Sequence, residues 1–259
     1  MNSVFDIRDR VVLLTGATGY LGRILARGFA LAGAVVLVNS RSSSRAQALA
    51  NELVAAGGQA LPLAFDVTDS AARLAALAWV QQQFGRLDIL INNAMAVFEP
   101  RDFARSYQVG VVAANDLIED SLGLLATSAA RNPGGASVIN MASMYGVVSP
   151  DPSLYGKNFP PNPVEYGAAK AGLLQLTRHL GVVLGPRRIR VNALSPGPFP
   201  STAVQEQSPD FIQRLGQRNP LGRIGQPEEL VGPALFLASD AASYITGANL
   251  PVDGGWTSW

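Results

Sequence analysis

Tyr166 and Lys170 stand four residues apart in the segment Tyr166-Gly167-Ala168-Ala169-Lys170. In a helix that spacing stacks both side chains on one face. A phenol beside an ammonium is suited to moving a proton at a carbonyl or alcohol oxygen. Reduction needs a proton donor at the developing alkoxide, and oxidation needs the reverse. A free phenol titrates near about 10, too high for a base at neutral pH, and lowering it by about 3 units takes about 4 kcal/mol. The Lys170 charge favours phenolate, as would a helix N-terminus nearby. Ser143 follows the apolar run Ser-Val-Ile-Asn-Met and can hydrogen-bond the same substrate oxygen. A lone Tyr-x-x-x-Lys is common by chance, so the reading depends on what accompanies it.

What accompanies it is a glycine-rich turn, Thr15-Gly16-Ala17-Thr18-Gly19-Tyr20-Leu21-Gly22. Glycines let backbone approach a phosphate closely, and the helix that follows offers free N–H groups and a positive dipole end. A nicotinamide dinucleotide is the expected ligand, with Gly16, Thr18, Gly19, Tyr20 and Leu21 around its pyrophosphate. About 20 residues on, sites that take NAD carry a carboxylate for the ribose hydroxyl. Here that place reads Asn39-Ser40-Arg41. Arg41 can meet a 2′-phosphate with its planar fork, and Ser40 can donate a hydroxyl. NADP is therefore expected in preference to NAD.

These groups must be held by regular elements. Apolar runs alternate with longer segments of helical period. Strands are expected over residues 10–15, 34–39, 60–65, 87–91, 137–141, 189–194 and 248–252. Helices are expected over 20–31, 43–56, 69–84, much of 103–130, 163–184, a stretch near Phe211, and 227–238. Alternation of this kind makes parallel βαβ units, and continuous apolar strands fit a sheet covered on both faces. The expected fold is α/β: one doubly wound, Rossmann-like parallel sheet over residues 1–259, a single domain with ligands beyond the carboxyl ends of its strands. The catalytic helix carries start signals: Asn162 as N-cap, Pro163 at the first position and Glu165 closing a capping box.

Composition narrows the choices. Twenty basic against nineteen acidic residues leave a formal net charge of +1, which offers no field for nucleic acid. Cysteine is absent and His179 is the single histidine, so thiol chemistry is excluded and no metal site is expected. His179 lies nine residues beyond Lys170, about 13 Å along a helix, and reads as structural. No run approaches the ~20 apolar residues of a membrane span, so no membrane association and a cytoplasmic location are expected.

Taken in order, these motifs resemble the short-chain dehydrogenase/reductase family, in its compact form, over nearly the whole chain. The resemblance includes Asp66-Val67, Asn92-Asn93-Ala94, Ile189-Arg190-Val191-Asn192, Ser195-Pro196-Gly197 and Val252-Asp253-Gly254-Gly255. It implies Ser143, Tyr166 and Lys170 as the catalytic set, with Lys170 also holding the nicotinamide ribose. It implies that Asp66 and Val67 flank the adenine, that Asn93 and Ala94 pack along the cofactor, and that Pro196, Gly197 and Phe199 line the nicotinamide. It also implies a small-molecule substrate, a homotetramer or homodimer, and a cover over about residues 198–220. Trp256 and Trp259 are expected to pack at an interface between copies, the alternative being that they reach a neighbour's pocket.

Several places depart from the pattern. Gly16-x-x-Gly19-x-x-Gly22 is the glycine spacing of larger relatives, mostly nucleotide-sugar epimerases and dehydratases, so that activity stays as an alternative. Met95 replaces a glycine. The family's fourth catalytic residue is an asparagine; ungapped counting puts Gly110 in its place, with Asn115 five residues on. That motivates a further alternative, a non-catalytic NADP-binding sensor. A proline-rich stretch within about residues 146–162 separates Ser143 from Tyr166 and should wall the substrate pocket, with Tyr155, Lys157 and Asn158 offering polar contacts. With Met144-Tyr145-Gly146, it resembles a gluconate-dehydrogenase-like branch and suggests a polar, sugar-derived alcohol or ketone.

Overall fold

The computed structural model describes residues 4–96, 98, 100–155 and 161–259. Seven strands form one parallel sheet: β1 (Val11–Leu14), β2 (Val35–Ser40), β3 (Gln59–Ala64), β4 (Ile89–Asn92), β5 (Ala136–Met141), β6 (Ile189–Pro196) and β7 (Asn249–Val252). Their order is β3-β2-β1-β4-β5-β6-β7. The order reverses between β1 and β4, which opens a crevice beyond their carboxyl ends.

Both faces of the sheet are covered. Val12 and Leu14 point into one core, and Val11 and Leu13 into the other. Strands buried on both sides must be apolar throughout, which is why they read as unbroken runs. The first core is closed by α1 (Tyr20–Leu31) and α2 (Ser43–Ala55). The second is closed by α3 (Ser70–Phe84) and by a helical path made of α4 (Phe103–Tyr107), a π turn (Gln108–Val112), α5 (Ala113–Asp120) and α6 (Leu122–Arg131). Next along the chain come α7 (Val164–Leu184), α8 (Thr202–Gln207), α9 (Pro209–Arg218) and α10 (Val231–Ala238). Among the described residues no helix is long and apolar enough to cross a membrane.

Two expectations change. The single helix expected over 103–130 is interrupted by the π turn and by a joint at Ser121. A π turn takes up one extra residue and commonly sits beside functional sites. Helix α7 begins one residue later than expected. Pro163 occupies the cap position with extended backbone, and no side chain caps the helix. Glu165 does not close a capping box; it is buried, at 3 % exposure. Its side chain is buried in the interior and caps nothing.

Candidate active site

The carboxyl ends of the strands surround a cleft of about 750 Å³. Every residue expected to touch cofactor or substrate, among those described, lines it. Lys157 and Asn158 lie outside the described residues.

At one end is the glycine turn. Gly16 has φ +60°, and a β-carbon there would stand 3.0 Å from the Ala94 α-carbon. A β-carbon on Gly22 would meet Asn93 Nδ2 at 2.9 Å. The turn therefore packs directly on the loop after β4, with no room for side chains between them. Gly19 is the N-cap of α1 and offers no side-chain cap, so the first-turn N–H groups remain open beside the cleft. Asn93 braces this turn, its Nδ2 donating to Thr15 O at 3.0 Å and Gly16 O at 3.1 Å. Its side chain is thus committed to the protein. Asn39, which sequence reasoning passed over, ties three strand ends together. Its Oδ1 accepts from Gly16 N, and its Nδ2 donates to Leu63 O and Phe65 O.

The end of β2 carries the second feature. The Ser40 hydroxyl accepts from Thr18 Oγ1 and from Ser42 N, both at 3.2 Å, which leaves its own proton to donate. Arg41 is exposed and lines the cleft, and among the described residues it enters no ion pair. A second guanidinium, Arg45 in the first turn of α2, lines the same place. Its spacing of four from Arg41 was the available signal. Asp66 faces them, but its Oδ1 is taken by Thr68 N at 2.9 Å and Thr68 Oγ1 at 2.7 Å. Those hydrogen bonds outweigh burial and keep its carboxyl below the usual range.

The third group is Ser143, Tyr166 and Lys170. Ser143 follows β5 and accepts from Tyr145 N at 3.2 Å as a tight turn begins at Met144. Gly146 ends that turn against α7. A β-carbon on it would stand 2.9 Å from the Lys170 carbonyl, so glycine is what lets the serine turn reach the catalytic helix. Lys170 is buried, and its Nζ donates to Met141 O at 2.6 Å and stands 5.7 Å from the Tyr166 ring centre. Burial pushes the lysine down to about 8. Burial also pushes the Tyr166 phenol up, and its hydrogen bond with Ser143 pulls the other way. The expected lowering by Lys170 is therefore not achieved by the protein alone; desolvation wins.

The two candidates for the fourth position fall in different places. Gly110 lies in the π turn. A β-carbon there would meet Met95 Sδ at 2.8 Å and the Ala169 β-carbon at 3.5 Å. So Gly110 lies beside α7, and the space next to it is filled by Met95. Asn115 stands beyond it in α5 and does not line the cleft.

The far wall is aromatic. The Tyr145 and Tyr155 hydroxyls lie 2.5 Å apart, and Tyr155 packs on Phe211 of α9 with ring centres at 5.2 Å. Arg214 Nε donates to Leu154 O at 2.8 Å, joining the proline-rich segment to α9. Trp256 is buried within the chain in this cluster beside Phe211 and Leu215, whereas Trp259 is 72 % exposed. Tyr145 was missed as a wall residue because its role depends on the fold of the segment ten residues later.

The enoyl-(acyl carrier protein) reductase family model matches residues 16–257 of the chain. The chain is 35 % identical over 256 residues to the cis-4-hydroxycyclohexanecarboxylate dehydrogenase of Sinomonas cyclohexanicum, covering 96 % of this chain and 97 % of that protein. It is 34 % identical over 258 residues to the L-rhamnose 1-dehydrogenase (NAD(P)(+)) of Azotobacter vinelandii, covering 95 % and 96 %. Its fold superposes with a TM-score of 0.84 and 32 % identity on a gluconate 5-dehydrogenase from Burkholderia cenocepacia, solved in complex with NADP and tartrate, over 98 % of both chains.

Proposed function

Since the chain belongs to the short-chain dehydrogenase/reductase family, we propose that it transfers a hydride between NADP(H) and the carbinol carbon of a small, polar or sugar-derived secondary alcohol. The observation that carries this reading is the convergence of Ser143, Tyr166 and Lys170 on a cleft whose other end presents Arg41 and Arg45. The relatives named above, dehydrogenases of a hydroxy acid, a sugar and a sugar acid, support the substrate class.

The residues fit a dinucleotide. Open N–H groups at α1 and the glycine cradle suit a pyrophosphate, and two arginines with a serine hydroxyl suit a 2′-phosphate. When bound, the nicotinamide gives or accepts the hydride. The protein does the rest. Ser143 hydrogen-bonds the substrate oxygen and holds it beside Tyr166. In reduction the Tyr166 O–H gives its proton to the oxygen as the carbonyl carbon gains the hydride. In oxidation the phenolate takes the hydroxyl proton as the carbon loses the hydride. Lys170, anchored on Met141 O, holds the ribose and carries positive charge under the phenol. With burial holding the phenol protonated, the acid form needed for reduction is the resting form at neutral pH.

NADPH and NADH are to be offered with a panel of keto-sugars, keto-acids and apolar ketones at 340 nm, with Tyr166→Phe as control. NADPH consumption lost in the variant supports the reading. Tight NADPH binding with no turnover on any panel member, or a biological role untouched by Tyr166→Phe, turns it toward a sensor.

A further inference from the structure

Two phenols besides Tyr166 line the cleft. Tyr145 is buried and Tyr155 half-buried, and their hydroxyl oxygens stand 2.5 Å apart. Tyr145 lies two residues beyond Ser143, and its N donates to Ser143 Oγ. Tyr166 packs on the same cluster, with Met144, Phe211 and Leu215. The pair thus shares one wall with both residues that hold the reacting oxygen in the function proposed above.

Ring packing does not need those hydroxyls. A polar group in an apolar wall costs free energy unless it is hydrogen-bonded. A phenol oxygen gives one hydrogen bond and accepts two, so the mutual bond does not exhaust the pair. A few fixed polar groups in an aromatic lining are what orient a ligand. Tyr155 and Phe211, with ring centres 5.2 Å apart, supply that lining. An aromatic face is negative and suits the C–H bonds of a saturated ring.

This wall brings no charge. Among the described residues, the parts of the lining supplied by residues 143–166 and 196–215 contain no Asp, Glu, Arg or Lys. The cations of the cleft belong to other segments: Arg41 and Arg45 follow β2, Lys170 donates to Met141 O, and Arg105 of α4 stacks over the Phe98 ring at 4.1 Å. Burial pushes both phenols of the pair up, so they stay uncharged through neutrality.

We infer that the Tyr145–Tyr155 pair is a second substrate anchor, which hydrogen-bonds a hydroxyl away from the reacting carbon and selects an uncharged cyclic polyol, or its ketone, over a sugar acid. This narrows the substrate class proposed above, and it rests on Ser143 and Tyr166 holding the reacting oxygen. A neutral hydroxyl both gives and accepts hydrogen bonds, as each phenol does. A carboxylate would enter this wall with no cation to meet it.

The test uses the full chain with NADP⁺ at 340 nm. Cyclohexane-1,2-diol and cyclohexane-1,3-diol are compared with cyclohexanol, which lacks the second hydroxyl, and gluconate is the charged probe. Wild type should favour the better diol over cyclohexanol by about tenfold or more in kcat/KM. Tyr145→Phe and Tyr155→Phe should each bring that ratio below about threefold, since each removes one hydroxyl of the pair. The ratio compares two alcohols at one site, so a general loss from a displaced Ser143 or a weakened fold cancels. A ratio unchanged in both variants overturns the inference and leaves the two hydroxyls as a structural tie. A wild-type ratio near one overturns it as well, and decides alone where a variant does not fold. So does gluconate oxidised better than either diol, or no oxidation of either diol. If another panel member is then turned over, the proposed oxidoreductase stands without this inference. Should Tyr166→Phe retain full activity, it is the acid/base reading that fails, a result distinct from all of these.

Discussion

Met95 and Gly110 are fitted to each other: a β-carbon on Gly110 would stand 2.8 Å from the Met95 sulfur. Residue 95 replaces the glycine that the family resemblance leads one to expect, and residue 110 replaces its asparagine. The two departures compensate in volume, because the long thioether occupies the space that a side chain at 110 would need. Methionine suits this because its flexible chain fills irregular gaps.

Gly110→Asn should therefore destabilise the protein by about 1–3 kcal/mol through overpacking. In a domain of this size each kcal/mol lowers Tm by about 2–4 °C. Combining it with Met95→Ala should cost less than the sum of the single changes, with a coupling of about 0.5 kcal/mol or more. Urea unfolding of the four proteins measures this. Additive losses would show that the two side chains do not compete for one space.

Tyr166→Phe keeps the ring and removes the proton. Turnover should fall by about 10²–10⁴, the usual worth of a positioned acid or base. NADPH affinity, measured by fluorescence, should stay within about twofold. A variant that still turned over at the wild-type rate would remove Tyr166 from the chemistry.

Arg41 and Arg45 should distinguish the two cofactors. A hydrogen bond to a charged group contributes about 1.5–3 kcal/mol. Arg41→Ala should therefore weaken NADPH binding by about tenfold to a hundredfold, and Arg45→Ala should act in the same direction. NADH binding should hardly change for either. Equal losses for both cofactors would mean that the arginines do not read the 2′-phosphate.

The phenol of Tyr166 is held above its ordinary value by burial. Its acid form persists through neutrality, so the rate of carbonyl reduction should stay level there and fall only on the alkaline side. Alcohol oxidation, which needs the phenolate, should rise with pH over the same range. Initial rates in both directions across a pH series test this. A reduction rate that declined from mildly acidic pH would contradict it.

Lys170 gives a stability prediction of opposite sense to a salt bridge. Its value in the folded protein is about 8, against 10.5 for the free side chain. Between those two values the unfolded chain binds the extra proton, so the lysine's contribution to stability rises with pH. Below about 8 the buried charge is a cost carried for function. Wild type should therefore gain stability relative to Lys170→Met as pH is raised through that window. Parallel unfolding curves for the two proteins at every pH would refute it.

The sequence alone determined what depends on neighbours along the chain. The Tyr166–Lys170 spacing follows from the pitch of a helix. The strands follow from apolar runs, and the glycine turn from its place between a strand and a helix. Arg41 in place of a carboxylate is likewise a local fact. Contacts between distant segments decided the rest. Glu165 carries the pattern of a capping residue, yet the folded chain buries it and it caps nothing. Which of Gly110 and Asn115 lies beside α7 depended on the π turn and on Met95, which come from different parts of the chain. Arg45 and Tyr145 joined the site only when α2 and the segment around Tyr155 folded beside them. Periodicity is written in the order of residues, but the energy of burying a side chain depends on which distant surface meets it.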